Sequence, residues 1–224
     1  MIKSEVFTFL RSLAKNNQRE WFHDHKNDYA NARQCIIELT ASVEHKLNSM
    51  DQIEMSKLFR INRDVRFSQD KSPYKSNFSG YFKRLGEQRR GSYYFSIEPD
   101  NTVIGGGFYG PNKADLYRIR KEFEVDSSIQ SIVDNKVFKN YFGTLLGEGV
   151  STAPRGFDKN HPNIHWIRKK QWYAFRKFTD EEVIQDNFVE EVIKTYAGLR
   201  PFFDYMSEVL TTDLNGESIL KGNA

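Results

Sequence analysis

A chain of 224 residues with a net charge of +3 suits one large domain or two small ones, and carries too little charge to bind polyanions over its whole surface. Its rings (18 Phe, 11 Tyr, 3 Trp) point to an aromatic-rich core, and its single cysteine, Cys35, excludes an internal disulfide and fits a reducing compartment. No apolar run reaches membrane-spanning length, and Arg11 and Lys15 interrupt the pattern of a signal peptide, so a soluble cytoplasmic protein with no membrane partner is expected.

In chain order, a short helix is predicted around Glu5–Ala14. Asn17 and Glu20 are spaced as a capping box, and a long helix follows with Phe22, His25, Tyr29, Ala32, Ile36, Leu39, Val43 and Leu47 on one stripe. Strands are predicted at Leu58–Asn62, Asn77–Lys83, Ser92–Glu98 and Thr102–Tyr109, the last two joined by the turn Pro99-Asp100-Asn101. Connections this short make an antiparallel meander. Asn112 caps a helix bearing Leu116, Ile119 and Phe123, and another helix runs from Asp126 toward Phe142. Residues 143–160 read as loop, His161-Pro162 as a helix start, and Gln171–Phe178 as a late strand. Thr179 to Glu182 forms a second capping box before an amphipathic helix over Asn187–Leu210, and the chain frays after Leu214. The expected fold class is α+β: one domain over residues 1–214, its meander sheet packed with several helices, including long N-terminal and C-terminal ones, and a tail at 215–224.

Residues 59–75 depart most from core-building sequence. Arg60, Arg63, Arg66, Lys71 and Lys75 share this run with only two acids, Asp64 and Asp70. Crowding cations in a folded segment is unfavourable without an anion or distant acids such as Glu98 among them. Alternation puts Arg60 and Asn62 on one strand face, and Arg63 onward leaves the strand end as a loop, where binding groups commonly sit. Arginine forks match two oxygens of a phosphate, and lysine adds a movable charge. The competing reading is an internal ion-pair network, and the sequence leaves both open.

A second segment, Pro154-Arg155-Gly156-Phe157-Asp158 with His161-Pro162, brings a cation, a carboxylate and an imidazole together. Asp158 can orient His161 or act as a base; equally, both residues can simply cap a turn and a helix. His161 and His165 lack the acidic or cysteine partners of a metal motif, so no metal is expected. Gly105-Gly106-Gly107 lies in a strand rather than opening a helix, which favours close packing of a ring or backbone over phosphate binding.

The phrases Asn17-x-Arg19-Glu20-Trp21-Phe22 and Phe59-Arg60-Ile61-x-Arg63-Asp64-x-Arg66-Phe67-Ser68-x-Asp70-Lys71-x-Pro73-Tyr74-Lys75, with the Gly105 triplet and the Pro154 segment, resemble the family catalogued as domain of unknown function 2461. The resemblance covers Ser4 to about Leu210. It implies a stand-alone domain and carries over no catalytic residue; Phe157 stands where that family often has Tyr, so no phenol is given a role there.

Three functions follow from these residues. The first is a site for a phosphorylated or other anionic small molecule, with Arg60, Arg63, Arg66, Lys71, Tyr74, Lys75 and Arg155 as ligand-binding residues and Asp64, Asp158 and His161 as proton handlers if it is an enzyme. The second is a nucleic-acid-binding module using basic loops and sheet aromatics. The third is a non-catalytic structural or interaction domain. No cofactor and no oligomeric state is indicated.

Overall fold

The computed structural model describes residues 2–220. In chain order the elements are α1 (Ser4–Lys15), α2 (Arg19–Asp24), α3 (Lys26–Leu47), β1 (Ile53–Leu58), β2 (Phe78–Arg84), β3 (Ser92–Ile97), β4 (Thr102–Phe108), α4 (Lys113–Val125), α5 (Ser128–Asp134), α6 (Lys136–Phe142), α7 (Ile164–Ile167), β5 (Trp172–Phe178), α8 (Asp180–Val183) and α9 (Phe188–Thr211). The strands form one antiparallel sheet in the order β1-β2-β3-β4-β5, so the chain is α+β with a meander at its centre. Among the described residues no helix is long and apolar enough to cross a membrane.

Several boundaries differ from expectation for identifiable reasons. The long N-terminal helix is broken at His25, whose backbone leaves helical values. Its Nδ1 lies 2.8 Å from Trp21 O and its ring stacks on Trp21 at 3.9 Å, which stabilises the end of α2 and starts α3 afresh. The first strand occupies Ile53–Leu58 rather than Leu58–Asn62. At the sheet edge both its faces are poorly covered, so the alternation that marks a half-buried strand is missing. Residues beyond Asp126 form two short helices rather than one, divided at Asn135, whose side chain caps Val137 N. The capping box at Thr179 is present: Glu182 N donates to Thr179 Oγ1 (3.2 Å) and Thr179 N to Glu182 Oε2 (2.8 Å). In the expected tail, Asp213 Oδ1 accepts from Asn215 N and Glu217 N; residues 221–224 lie outside the described residues.

Contacts divide the chain into two compact units. Among the described residues, the first comprises 2–82, 94–104 and 177–194. Its core joins Val6, Leu10 and Leu13 of α1, Ile36, Leu39 and Val43 of α3, and Phe78, Phe95 and Ile97 of the strands. Phe9 stacks 6.4 Å from Phe78, and Tyr29 adds a third ring at 6.2 Å from it. Gly80 is required here because a Cβ would stand 2.6 Å from Lys57 O.

Among the described residues, the second unit comprises 83–93, 105–176 and 195–220. Tyr93, Phe108, Phe123, Trp172, Tyr196, Phe202 and Phe203 are buried in it. Phe108 meets Phe202 and Phe203 edge-on, at 5.5 and 5.9 Å. The buried Arg84 guanidinium donates to Arg90 O (2.9 Å), Ser207 Oγ (3.2 Å) and Asp204 Oδ1 (3.1 Å) and lies over the Phe203 ring at 5.3 Å. The Gly105 triplet meets backbone and rings: a Cβ at Gly105 would approach Ala174 O to 1.9 Å, and one at Gly106 would lie 2.4 Å from Ser92 O.

Candidate functional site

The Arg-rich phrase is a loop pinched at its base. Arg63 N donates to Pro73 O (2.9 Å) and Lys75 N to Ile61 O (2.8 Å), with Asn62 and Tyr74 as an antiparallel bridge between them. Ile61 and Tyr74 are buried and anchor this ladder. The Tyr74 ring stacks on Phe22 at 4.1 Å. Asn17, at the turn between α1 and α2, grips the main chain of Tyr74 from both sides: its Nδ2 donates to Tyr74 O (3.0 Å) and its Oδ1 accepts from Tyr74 N (3.1 Å). The sequence pattern had Asn17 as a helix cap; the N-cap of α2 is Gln18, with no side-chain bond. Asn17→Ala is expected to cost about 2 kcal/mol, since two neutral bonds at a half-buried position are lost. Urea denaturation checks it.

Within the loop, much of the positive charge is answered internally. Arg63 pairs with Asp70, whose Oδ1 also accepts from Ser72 N (2.9 Å). Ser72 first, then Arg63, hold the Asp70 carboxyl far below its ordinary range. Arg66 forks onto Asp64, with Nε on Oδ1 (2.9 Å) and Nη2 on Oδ2 (2.6 Å), which lowers the Asp64 carboxyl and raises the guanidinium. Lys71 Nζ donates to Val65 O (2.9 Å). At the loop tip Phe67 is 97% exposed, with Arg66 6.0 Å from its ring centroid.

Two cations are different. Among the described residues, neither Arg60 nor Lys75 makes a salt bridge or a hydrogen bond to a carboxylate; Lys75 lies in the field of Arg60, which lies also in that of Asp64. Burial first, then the Arg60 charge, lowers the Lys75 ammonium from its ordinary value. Its Nζ sits over the Phe59 ring at 5.3 Å, and Phe59 in turn meets Tyr81 at 5.6 Å. Beside it lies a hollow of about 390 Å³, lined by Arg63, Asp70, Tyr74 and Lys75 together with Asn17, Glu98 and small polar residues.

Arg155, Asp158 and His161 belong to the second unit and are absent from this lining. Arg155 is exposed. Asp158 Oδ1 accepts from Asn160 N (2.9 Å) and its carbonyl from His161 N (3.2 Å). His161 Nδ1 accepts from Asn163 N (3.1 Å), capping the turn into α7. Asn163 is the anchor of this segment: it is buried, and its Nδ2 donates to Phe123 O (2.8 Å). Phe157 lies 6.4 Å from Tyr117, with Lys121 Nζ 5.1 Å from the Phe157 ring centroid. Among the described residues no three His, Cys, Asp or Glu side chains gather as a metal would need.

The structure therefore brings Arg63, Tyr74 and Lys75 to one hollow and keeps Arg66 and Lys71 on local partners. Sequence reasoning missed Asn17, Ser72, Ser76 and Asn77 as lining, and had Glu98 only as a distant neutralising acid. Asn17 reads as a helix cap and the others carry no motif of their own; they meet only in the folded chain. Among known proteins, the model of the family described as "Conserved hypothetical protein (DUF2461)" matches residues 5–205. No curated protein and no solved structure matches the chain.

Proposed function

Because the chain belongs to the DUF2461 family, a membership that prescribes no chemistry, we propose from its own residues that it binds a phosphorylated or other anionic small molecule at the Lys75 hollow. One observation carries the reading. Lys75 lines the hollow, is repelled by Arg60 and has no ion-pair partner among the described residues, whereas Arg63 and Arg66 are each paired with an acid. A guest anion would relieve that repulsion and gain the remaining N–H donors of Arg63. Arg63 and Lys75, which line the hollow, are the proposed anion contacts; Arg60 is absent from the lining and acts only through its field on Lys75. Arg66, Lys71 and Arg155 stand further from this reading, being locally bonded or in the second unit.

Binding is the function proposed. As a proton handler, Asp64 held by Arg66 is a weak base at neutral pH, while Asp158 and His161 would act, if at all, in the second unit. The structural-domain reading draws on the ion pairs of Arg63 and Arg66. The nucleic-acid reading draws on Phe67 beside Arg66, and predicts oligonucleotide affinity that falls steeply with salt.

Sulfate, whose charge does not change near neutral pH, is the probe. Calorimetric titration is expected to show binding that Lys75→Gln weakens about ten-fold, the loss of one charge-assisted contact. The pH dependence has a fixed sign. Lys75 must be protonated to hold the anion, and its ammonium is lowered by burial and Arg60. Affinity should be flat at neutral pH and fall as pH rises through that lowered value, earlier than an ordinary lysine near about 10.4 would allow. Sulfate affinity unchanged in Lys75→Gln would defeat the reading.

A further inference from the structure

The hollow that holds Lys75 also holds an acid that no cation answers. Glu98 accepts from Ser76 Oγ on Oε1 (3.3 Å) and from Asn101 Nδ2 on Oε2 (2.9 Å), and among the described residues it has no ion-pair partner. A carboxylate offers about four acceptor sites, so two neutral bonds leave it with capacity for further donors. Asn77 shares the wall; its Nδ2 donates to Ser96 Oγ (2.6 Å), which leaves the amide oxygen as another acceptor. Ser72 and Ser76 add hydroxyls.

These groups constrain the guest. Sulfate answers Lys75 but has no donor for Glu98, inorganic phosphate has only its one or two P–OH groups, and both are repelled by the carboxylate. A ligand that is anionic at one end and rich in hydroxyl groups at the other satisfies both. A nucleobase is poorly served: Ala14 is the sole aliphatic residue of the lining, and its one ring, Tyr74, is buried and already stacked on Phe22. A hollow of about 390 Å³ lies at the small end of ligand sites.

We infer that the guest is a phosphorylated polyol of the sugar-phosphate class, its phosphate on Lys75 and Arg63 and its hydroxyls on Glu98, Asn77 and Ser76. This rests on the anion reading and narrows it. Full-length protein is titrated by calorimetry with inorganic phosphate, glucose 6-phosphate and adenosine monophosphate. Glucose 6-phosphate is expected to bind about ten-fold tighter than phosphate, because a site built to bond hydroxyls gains from each one supplied. In Glu98→Gln that advantage should shrink to about two-fold while phosphate affinity holds or rises; in Lys75→Gln both anions weaken together. The comparison of ligands on the unaltered protein stands even if a variant folds poorly. Glucose 6-phosphate binding no tighter than phosphate, adenosine monophosphate binding tighter than glucose 6-phosphate, or an undiminished advantage in Glu98→Gln overturns the polyol assignment and leaves the anion reading intact. Failure of every anion to bind overturns both.

Discussion

Gly105→Val is expected to lower the unfolding free energy by about 4 kcal/mol or more, enough to empty the native state of a marginally stable chain. A Cβ at this position would sit 1.9 Å from Ala174 O and 2.7 Å from Phe175 Cδ1. The first obstacle is backbone of the neighbouring strand, so no rotamer change relieves it. Either β4 and β5 separate, breaking ladder bonds, or the strand bends away from its core. Gly143 supplies the control. It has φ +69° and ψ −63° and nothing within 4 Å of its would-be Cβ, so Gly143→Ala meets only backbone strain, about 1–3 kcal/mol. Urea denaturation followed by far-UV circular dichroism measures both. Equal losses at the two positions would contradict the close approach of the strands.

The second large effect is expected at Arg84. It is 2% exposed, and its contacts include Arg90 O, Ser207 Oγ, Asp204 and the face of Phe203. Arg84→Leu keeps an apolar stem but takes a donor from the half-buried Arg90 carbonyl and from the buried Ser207 hydroxyl, which retains Arg90 N, and is expected to cost about 3 kcal/mol. Asp204→Asn should cost well under about 1 kcal/mol, because the Asp204 side chain is 54% exposed and water replaces its partner. That asymmetry is the test: denaturant midpoints shifted equally by both substitutions would mean that the ion pair, rather than the buried donors, stabilises the unit.

The helices were legible where one face is buried. The Ile36, Leu39, Val43 and Leu47 stripe and the Thr179–Glu182 box read directly from spacing, as did the hairpin around Pro99-Asp100-Asn101, because these signals are local. His25 fits the same stripe, yet breaks the helix, since its ring prefers Trp21; a stacking choice of that kind leaves no periodic trace. β1 hides for the opposite reason: an edge strand exposed on both faces has no alternation to show. At the site, the excess of cations over acids was visible, but which cation each acid takes was not. Asp64 could have answered Arg60 or Arg63 and takes Arg66, two residues away, because a guanidinium there reaches both oxygens. Asn17 and Glu98 lie 57 and 22 residues from the loop positions they bond, a distance across which single-sequence patterns say nothing.

The repulsion between Arg60 and Lys75 has a consequence for how this chain can change over generations. Selection for sturdiness alone would replace one of them with a neutral residue and gain from it, because mutual repulsion in the empty protein is relieved at once. On the proposed anion reading, retaining both is sensible only while a guest offsets that repulsion. Lineages in which that visitor has disappeared should let position 60 or 75 drift first, well before the aromatic interior begins to erode.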